Sequence, residues 1–296
     1  MMLSNGTSSS RASGILRIVQ LSDLHYAPGP EADIGLDLAR SLINDLDPDL
    51  IVVSGDLSRD GLVEQFVPVV EFLASFGMDR VRAIPGNRDY LAGGPGPARP
   101  ADSDLNYFLE APDTPADGAV SSGDRATPFL EFFDDVDFFE RTKELCLVGL
   151  DSEPVIPDDA LRRGIAFLEG SSPKLTRVFC THRSLLPVPR KKIKEGDILP
   201  NAGDILDELL MAGVDLILCA HLHRVHAWEM CLDGRTTAVV NAPSLLDRSP
   251  GKEVGLLSYD IERRGQLRAT FHSLAGDPPR TLVDTRDRRK GKKRAS

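Results

Sequence analysis

The 296-residue sequence contains no apolar run long enough to cross a bilayer, which takes about 20 consecutive apolar residues as a helix. Its first 14 residues, MMLSNGTSSSRASG, are polar and lack the apolar segment of a secretion signal. These two absences argue against a membrane-spanning or secreted protein. We therefore expect residues 1–14 to be a disordered leader and the protein to be cytoplasmic.

Cysteine is also scarce, with four residues and no C-x-x-C pair. This spacing excludes a disulfide framework and the common zinc-ribbon arrangement. Each cysteine lies in an apolar, strand-like stretch, so we expect reduced core cysteines at Cys146, Cys180, Cys219 and Cys231. With 41% hydrophobic and 27% charged residues, the composition is that of an ordinary globular protein.

The net charge of −10 is unevenly distributed. The C-terminal stretch RDRRKGKKRAS has seven basic residues between Arg286 and Arg294 and one acidic residue, Asp287. We expect residues 281–296 to form a disordered, solvated tail. The alternative is a salt-sensitive anchor for nucleic acid or anionic lipid. The acidic body argues against nucleic acid as the main partner and favours a small phosphorylated substrate.

Strand-like runs alternate with helical periodicity from residue 15 onward. ILRIVQLSD, DLIVVSGD and VRAIPGN predict strands, and apolar residues at helical spacing (Ile34, Leu38, Leu42 and Leu46) predict the first helix. Strands that alternate with helices indicate an α/β fold whose mainly parallel sheet is buried on both faces. We expect a single domain over residues 15–280.

Residues 91 to about 140 break this alternation with stretches rich in Gly, Pro and Asp, such as LAGGPGPARPADSD. We expect an insertion or lid here, followed by a hairpin that turns near Thr142. Five of the twelve phenylalanines lie between Phe129 and Phe139. We expect them to pack under the insertion, the alternative being an apolar wall for a substrate.

Side chains that can bind metal follow five of the predicted strands. The blocks LSDLH, SGD, PGN, CTH and AHLH supply, in chain order, Asp23, His25, Asp56, Asn87, His182, His221 and His223. Ligands of open α/β sheets bind at the carboxyl ends of strands. The H-x-H pair, if it lies on a strand, places both imidazoles on one face. Each block alone is more typical of an ordinary turn, but the five together predict a metal site.

This order of blocks resembles the calcineurin-like metallophosphoesterases, whose pattern is D-x-H, G-D, G-N-[H/E], a lone H and G-H-x-H. The resemblance implies a β-sandwich flanked by helices in four layers, αββα. It also implies two divalent metal ions. The first would be held by Asp23, His25, Asp56 and His223, and the second by Asp56, Asn87, His182 and His221. Asp56 would bridge the two ions and set their spacing.

The chemistry of this ligand set is independent of the resemblance. Carboxylate, imidazole and amide ligands suit manganese, iron, zinc, cobalt or nickel. Two such cations clamp a phosphoryl group and lower the pKa of a shared water enough to supply hydroxide near neutral pH. We therefore expect hydrolysis of a phosphate ester or anhydride.

Two residues depart from the family pattern. Ala220 replaces a glycine, a small change, but Arg88 replaces the histidine thought to protonate the leaving group. Arginine has a pKa above about 12 and cannot supply a proton near neutrality, although its planar fork can stabilise phosphoryl charge. Arg88 therefore favours anhydrides, whose leaving group needs no external acid, over alkyl diesters. The alternative is that Arg88 only pairs with Asp89.

The sequence motifs around the ligand blocks point to different substrates. GNRD resembles the motif of the UDP-diacylglucosamine hydrolases, whereas LSDLH and VVSGDLSRDG resemble the cyclic-nucleotide phosphodiesterase branch.

Arg183 and Arg224 directly follow two of the histidines and are further candidates for phosphate contact. The run PVPRKKIKEGD, with Arg190, Lys191, Lys192 and Lys194, is either a solvated face or a substrate contact. A nuclease of the same fold and a noncatalytic scaffold that has lost its metals are the remaining alternatives.

Overall fold

The structure is a computed structural model that describes residues 14–90, 127–249, 252–262 and 266–286. The expected leader up to residue 13, most of the expected insertion and the last ten residues lie outside the described residues. Within the described part there are four α-helices: Pro30–Leu46 (α1), Val63–Ala74 (α2), Asp158–Glu169 (α3) and Ala202–Met211 (α4).

The described residues also form twelve strands, which divide evenly between two sheets. The first sheet contains Leu16–Leu21 (β1), Leu50–Ser54 (β2), Val81–Ile84 (β3), Gly255–Glu262 (β10), Gln266–Ser273 (β11) and Arg280–Asp284 (β12). The second contains Phe138–Arg141 (β4), Leu145–Leu150 (β5), Thr176–Thr181 (β6), Leu216–Cys219 (β7), His226–Leu232 (β8) and Arg235–Asn241 (β9).

Each sheet contains a run of neighbouring parallel strands. The first sheet has the order β12-β11-β10-β1-β2-β3, and β1, β2 and β3 are parallel neighbours. The second has the order β4-β5-β6-β7-β9-β8, and β5, β6, β7 and β9 are parallel. The carboxyl ends of neighbouring parallel strands therefore meet along one edge of each sheet.

The sheets pack face to face and each carries helices on its outer face. Ile18 and Val52 of the first sheet share a core with Leu147 and Val178 of the second. The outer face of the first sheet packs on α1 and α2, and that of the second on α3 and α4. The four-layer αββα architecture expected from the sequence is confirmed.

Helix α1 forms where its periodicity predicts, but a neighbouring stripe of the helix faces the sheet. Its buried residues include Gly35 and Ala39, whereas Ile34 is 55% exposed and Leu38 is 42% exposed. Small residues allow the helix to pack closely, since a Cβ atom on Gly35 would come within 2.6 Å of the side chain of Leu246. The same buried face contains the large apolar residues Leu36 and Ile43, so small and large apolar residues share it.

The structure moves two boundaries of the expected domain plan. Residues 138–140, expected at the end of the insertion, belong to β4, which pairs with β5 as the predicted hairpin. Residues 281–284, expected at the start of the tail, belong to β12, which pairs with β11. Strand pairing therefore extends the folded chain past residue 280.

Three of the five phenylalanines of the 129–139 stretch pack together beside α2, whereas Phe139 of the edge strand β4 is 38% exposed. The insertion that they were expected to lie under is outside the described residues. Phe129 is fully buried and stacks on Phe133 with ring centroids 4.4 Å apart. Phe66 of α2 packs against both Phe129 and Phe132. The cluster joins the short 3₁₀ helix Pro128–Glu131 to α2.

Three of the four cysteines are buried and unpaired, as expected, but Cys231 is exposed on β8. Strand β8 lies at the edge of its sheet, where alternate side chains face outward. No helix in the described residues combines the length and apolar character needed to span a membrane.

Candidate metal centre

The seven predicted ligands follow five strand ends, as the sequence predicts. Asp23 and His25 follow β1, Asp56 follows β2 and Asn87 follows β3. The second sheet contributes the three remaining histidines, one after β6 and two after β7. Because the two sheets pack face to face, these ends converge, and six of the ligands fall into two groups: Asp23, His25 and His223, and Asp56, His182 and His221.

The first group brings two imidazoles and a carboxylate to one point. Its three ligand atoms lie within 4.8 Å of one another. Nε2 of His223 is 3.0 Å from Nε2 of His25 and 3.1 Å from Oδ1 of Asp23. Three atoms with lone pairs thus face a common centre, which is the geometry of a cation site.

The second group centres on His182, which is fully buried. Its Nδ1–H donates to the carbonyl of Ser54 at 2.8 Å, which leaves Nε2 as the ring nitrogen that faces the group. That Nε2 is 3.2 Å from Nδ1 of His221 and 3.3 Å from Oδ1 of Asn87. Asn87 therefore joins the second group, as the resemblance implies.

Asp56 lies between the two groups. Its Oδ2 is 3.5 Å from Nε2 of His25, a member of the first group. The same oxygen is 3.5 Å from Nε2 of His182, a member of the second group. This carboxylate oxygen of the second group is therefore as close to a histidine of the first group as to one of its own group.

Five of the ligands have a left-handed backbone conformation, which non-glycine residues adopt rarely. Their φ angles are 49° at Asp23, 44° at His25, 54° at Asp56, 66° at His221 and 50° at His223. Such strain persists where the surrounding structure fixes it, and it concentrates at functional sites. Asp, Asn and His tolerate this region better than bulkier side chains.

This backbone corrects the expectation that His221 and His223 share one face of a strand. Strand β7 ends at Cys219, and the two histidines lie in the loop beyond it. With both φ angles positive, the period-two alternation of a strand does not apply. His223 lies in the first group and His221 in the second, which is the division that the resemblance implies.

Two glycines bring the loops into contact. A Cβ atom on Gly55 would lie 2.6 Å from Nδ1 of His182, and the φ of Gly55 is +94°. A Cβ atom on Gly86 would collide with the backbone nitrogen and the carboxylate of Asp56. Glycine is therefore required both at position 55, which precedes Asp56, and at position 86, in the loop that packs against Asp56.

The charges at the centre favour a cation. Burial opposes ionisation of Asp23, but His223 lowers its pKa to about 2. The pKa of Asp56 is likewise held well below its usual range, because His182 and His25 outweigh the effect of burial. Burial also opposes charge on His182, yet Asp56 raises its pKa to about 10. A histidine that binds its proton this strongly lies in a negative electrostatic potential. The same potential would attract a metal ion.

A buried oxygen supports the fit to a metal. Oδ1 of Asp23 is buried and has no hydrogen-bond partner among the described residues. Nε2 of His223 lies 3.1 Å from this oxygen, so the contact depends on a proton or a cation held between the two atoms. The residues present therefore fit a metal centre.

Arg88 does not pair with Asp89. The buried Asp89 carboxylate accepts hydrogen bonds from the N–H groups of Leu57, Ser58 and Gly86 at 3.1, 2.8 and 2.9 Å, and from the Ser58 hydroxyl at 2.9 Å. Its acceptor sites are thus used to join the loops after β2 and β3. The backbone N–H of Arg88 donates to Oδ1 of Asp56 at 2.7 Å, while its side chain is exposed.

The other arginine candidates differ from each other. Arg183 is buried, and its guanidinium contacts Glu153 through Nε and Nη2, the latter at 2.7 Å, and the carbonyl of Gly196 through Nη1. These contacts commit the guanidinium to the protein and argue against the predicted substrate role. Arg224 is half-buried beside His223, and its role in substrate binding stays a prediction.

Several residues of the site carry no recognisable sequence signal. Asp89 joins two ligand loops, and the carboxylates of Asp197 and Asp247 lie within 4 Å of ring nitrogens of His221 and His223. Lone aspartates in loops have no periodicity or spacing that distinguishes them. For Asp89 the neighbouring G-N block was the only available signal.

A fold of this kind, with carboxylates and imidazoles converging at strand ends, defines a class of metal-dependent hydrolases. The family model described as calcineurin-like phosphoesterase matches residues 16–225, more than two thirds of the chain. The chain therefore belongs to the calcineurin-like phosphoesterases. The expected enzyme class, a phosphoester hydrolase, is confirmed by this membership.

Solved structures show the same fold at low sequence identity. A purple acid phosphatase from yellow lupin (Lupinus luteus) seeds is 16% identical with a TM-score of 0.62, over 92% of this chain and 53% of the lupin chain. GAP50, described as the anchor in the inner membrane complex of Plasmodium, is 13% identical with a TM-score of 0.57, over 93% and 90% of the two chains. A search of curated protein sequences gave no significant match.

Proposed function

We propose that this protein is a dinuclear metal-dependent phosphohydrolase that cleaves a phosphodiester or pyrophosphate bond. The observation that carries the proposal is Oδ2 of Asp56, 3.5 Å from a ring nitrogen of each ligand group. If only one metal ion were bound, a carboxylate between imidazoles of two different groups would not be needed. A small phosphorylated substrate and a cytoplasmic location are part of this proposal.

The ligand assignment follows the two groups. Asp23, His25, Asp56 and His223 would hold one ion, and Asp56, Asn87, His182 and His221 the other. When bound, two divalent ions such as Mn²⁺, Fe²⁺ or Zn²⁺ neutralise phosphoryl charge and acidify a water to supply hydroxide. The protein fixes the spacing through Asp56, whose second oxygen is tied to the N–H of Arg88.

Arg88 is proposed to stabilise phosphoryl charge. Its main chain is held on both sides, because its N–H donates to Asp56 and the next residue, Asp89, is hydrogen-bonded to the backbone N–H of Ser58. Arg88 is an exposed residue, and its guanidinium makes no hydrogen bond or ion pair with the described residues. A rigid main chain with an available side chain suits a phosphate-binding arginine.

The same residue limits which leaving groups depart readily. A guanidinium stays protonated and cannot act as a general acid near neutral pH. A phosphate monoester leaves without added protonation, since its second pKa is about 6, whereas a sugar alkoxide does not. We therefore propose a preference for pyrophosphate bonds over alkyl diesters.

The test compares the Mn²⁺-loaded wild type with Arg88→His on a nucleoside diphosphate sugar and a cyclic nucleotide. We expect the wild type to prefer the anhydride and the histidine variant to gain on the cyclic diester. Arg88→Lys is the matched control, since it keeps the charge and loses the fork. If the wild type prefers the cyclic diester and neither variant changes that ratio, the protein is a cyclic-nucleotide phosphodiesterase and the role of Arg88 is wrong.

Two further alternatives have separate tests. A nuclease would digest single- or double-stranded DNA with Mn²⁺, and deletion of residues 287–296 would weaken that activity.

A noncatalytic scaffold is suggested by the described role of GAP50 as an anchor. The converging ligand side chains support catalysis instead, and binding of fewer than two ions per chain would favour the scaffold.

A further inference from the structure

The two histidines of the H-x-H loop present opposite ring nitrogens to their ligand groups. His221 directs Nδ1 toward His182, with the two nitrogens 3.2 Å apart. His223 directs Nε2 toward His25 and Asp23, at 3.0 and 3.1 Å. The nitrogen on the far side of each ring therefore differs, being Nε2 in His221 and Nδ1 in His223.

A carboxylate lies behind each of these rings. Oδ1 of Asp197 is 3.8 Å from Nε2 of His221. Oδ2 of Asp247 is 3.7 Å from Nδ1 of His223. Both separations are longer than a direct hydrogen bond, so each carboxylate acts on its ring as a nearby negative charge that favours a proton on the facing nitrogen. Each aspartate thus faces the nitrogen that the ligand group does not use.

Asp197 is fixed by the loop that follows β6. Its Oδ2 accepts from the backbone N–H of Lys194 at 2.9 Å, and its own N–H donates to the Lys194 carbonyl at 3.1 Å. The next carbonyl toward the N-terminus, that of Gly196, accepts from the buried guanidinium of Arg183. The carboxylate is therefore positioned by the main chain.

Asp247 is fixed independently, in the loop that follows β9. Its Oδ1 accepts from the N–H of Ser249 at 3.0 Å, and its N–H donates to the hydroxyl of Ser244 at 3.0 Å. That hydroxyl donates in turn to the carbonyl of Asp23 at 2.6 Å. Lys252 lies 3.4 Å from Oδ2 and balances its charge.

We propose that Asp197 and Asp247 are positioning residues, each of which holds one histidine of the H-x-H loop in the ring orientation that binds its own metal ion. This proposal rests on the ligand assignment given above. A carboxylate behind a ligand histidine fixes its tautomer and makes the ligand nitrogen more basic, and loss of such a partner typically lowers metal affinity by about 10- to 100-fold. Because the two aspartates lie in separate loops, their effects are separable by ion.

The experiment is a calorimetric titration of metal-free protein with Mn²⁺, without substrate. Wild type is compared with Asp197→Asn, Asp197→Ala, Asp247→Asn and Asp247→Ala, and with Asp207→Ala, an exposed residue of α4, as control. We expect two binding events in wild type and in the control. Each alanine variant should weaken one event by about 10- to 100-fold and leave the other within a few-fold.

Assignment to the individual ions uses His221→Ala as a background. In that background Asp197→Ala should cause no further loss of affinity, because its histidine is gone, whereas Asp247→Ala should still weaken the remaining ion. The asparagine variants keep the side-chain shape and should lie between wild type and alanine. Circular dichroism of each metal-free variant shows whether a loss of binding reflects unfolding.

Unchanged affinities for both ions in all folded Asp197 and Asp247 variants would overturn the proposal. Equal weakening of both events by each variant would also overturn it, since it would indicate a general structural effect. Hydrolysis is not measured here, so failure of the proposal and failure of the proposed catalytic function are distinguishable.

Discussion

The Nε2 atoms of His25 and His223 face each other at a distance of 3.0 Å. Burial lowers the pKa of His25, so a neutral ring is favoured there. Two ring nitrogens at this distance need a proton or a cation between them to avoid repulsion of their lone pairs. The Asp23 carboxylate beside them supplies the negative charge that a metal ion would balance.

Metal binding should therefore stabilise the folded protein. An ion at 100 times its dissociation constant adds about 2.7 kcal/mol per site. A chain of 150–250 residues gains about 2–4 °C in Tm per kcal/mol, and this one should gain several degrees. Differential scanning fluorimetry with Mn²⁺ and with a chelator measures the shift. His25→Ala should show a smaller shift, and an identical shift in that variant would contradict the assignment of His25.

Asp56→Asn should impair metal binding and turnover more than replacement of any single histidine, because Asp56 contacts both ligand groups. The amide has a similar shape but lacks the charge that balances two cations. Turnover of a chromogenic phosphodiester with Mn²⁺ measures the effect, and Asp207→Asn on the exposed face of α4 is the control. Near-normal turnover in Asp56→Asn would contradict the bridging role.

Gly86→Ala should displace Asp56, because the new methyl group would collide with the backbone and carboxylate of that residue. We expect a large loss of Mn²⁺ affinity and of thermal stability. Gly203→Ala in α4 is the matched control, since a Cβ atom there would meet nothing within 4 Å. That control should be neutral or stabilising by up to about 1 kcal/mol. Wild-type Mn²⁺ affinity in Gly86→Ala would show that the two loops can separate at no cost.

Arg183→Met should destabilise the protein by about 3–5 kcal/mol, because it leaves the buried Glu153 carboxylate without its partner. The double variant Arg183→Met with Glu153→Met should be markedly more stable than the single one. Urea unfolding of the metal-free proteins measures both. An Arg183→Met variant with normal stability and a raised KM would instead support the substrate contact predicted from the sequence.

The ligands were predictable because they are set by two regular features. Each follows an apolar strand, and parallel strands bring their carboxyl ends to one edge. Asp23 and Asp56, for example, follow the neighbouring strands β1 and β2. The four-layer fold came from the resemblance to the family, because the strand pattern alone predicts one mainly parallel sheet with helices on both faces, whereas the structure has two sheets that each include antiparallel strands.

Other features depend on the three-dimensional packing. Hydropathy points to Ile34 and Leu38 of α1, but the stripe that contains Leu36 and Ile43 is buried instead. Strand alternation cannot reveal that His221 and His223 have positive φ angles and serve different groups. The partners of Arg183 and Asp89 are distant in sequence and belong to loops whose conformations follow no simple period.

The most direct test of the two-metal centre is the rate of hydrolysis of a chromogenic phosphodiester as Mn²⁺ is added stepwise to metal-free protein. The account predicts negligible hydrolysis without metal and a rise that reaches its plateau near two ions per chain. A plateau at one ion per chain would contradict the shared role of Asp56. A rate that does not depend on the metal would contradict the proposed mechanism itself.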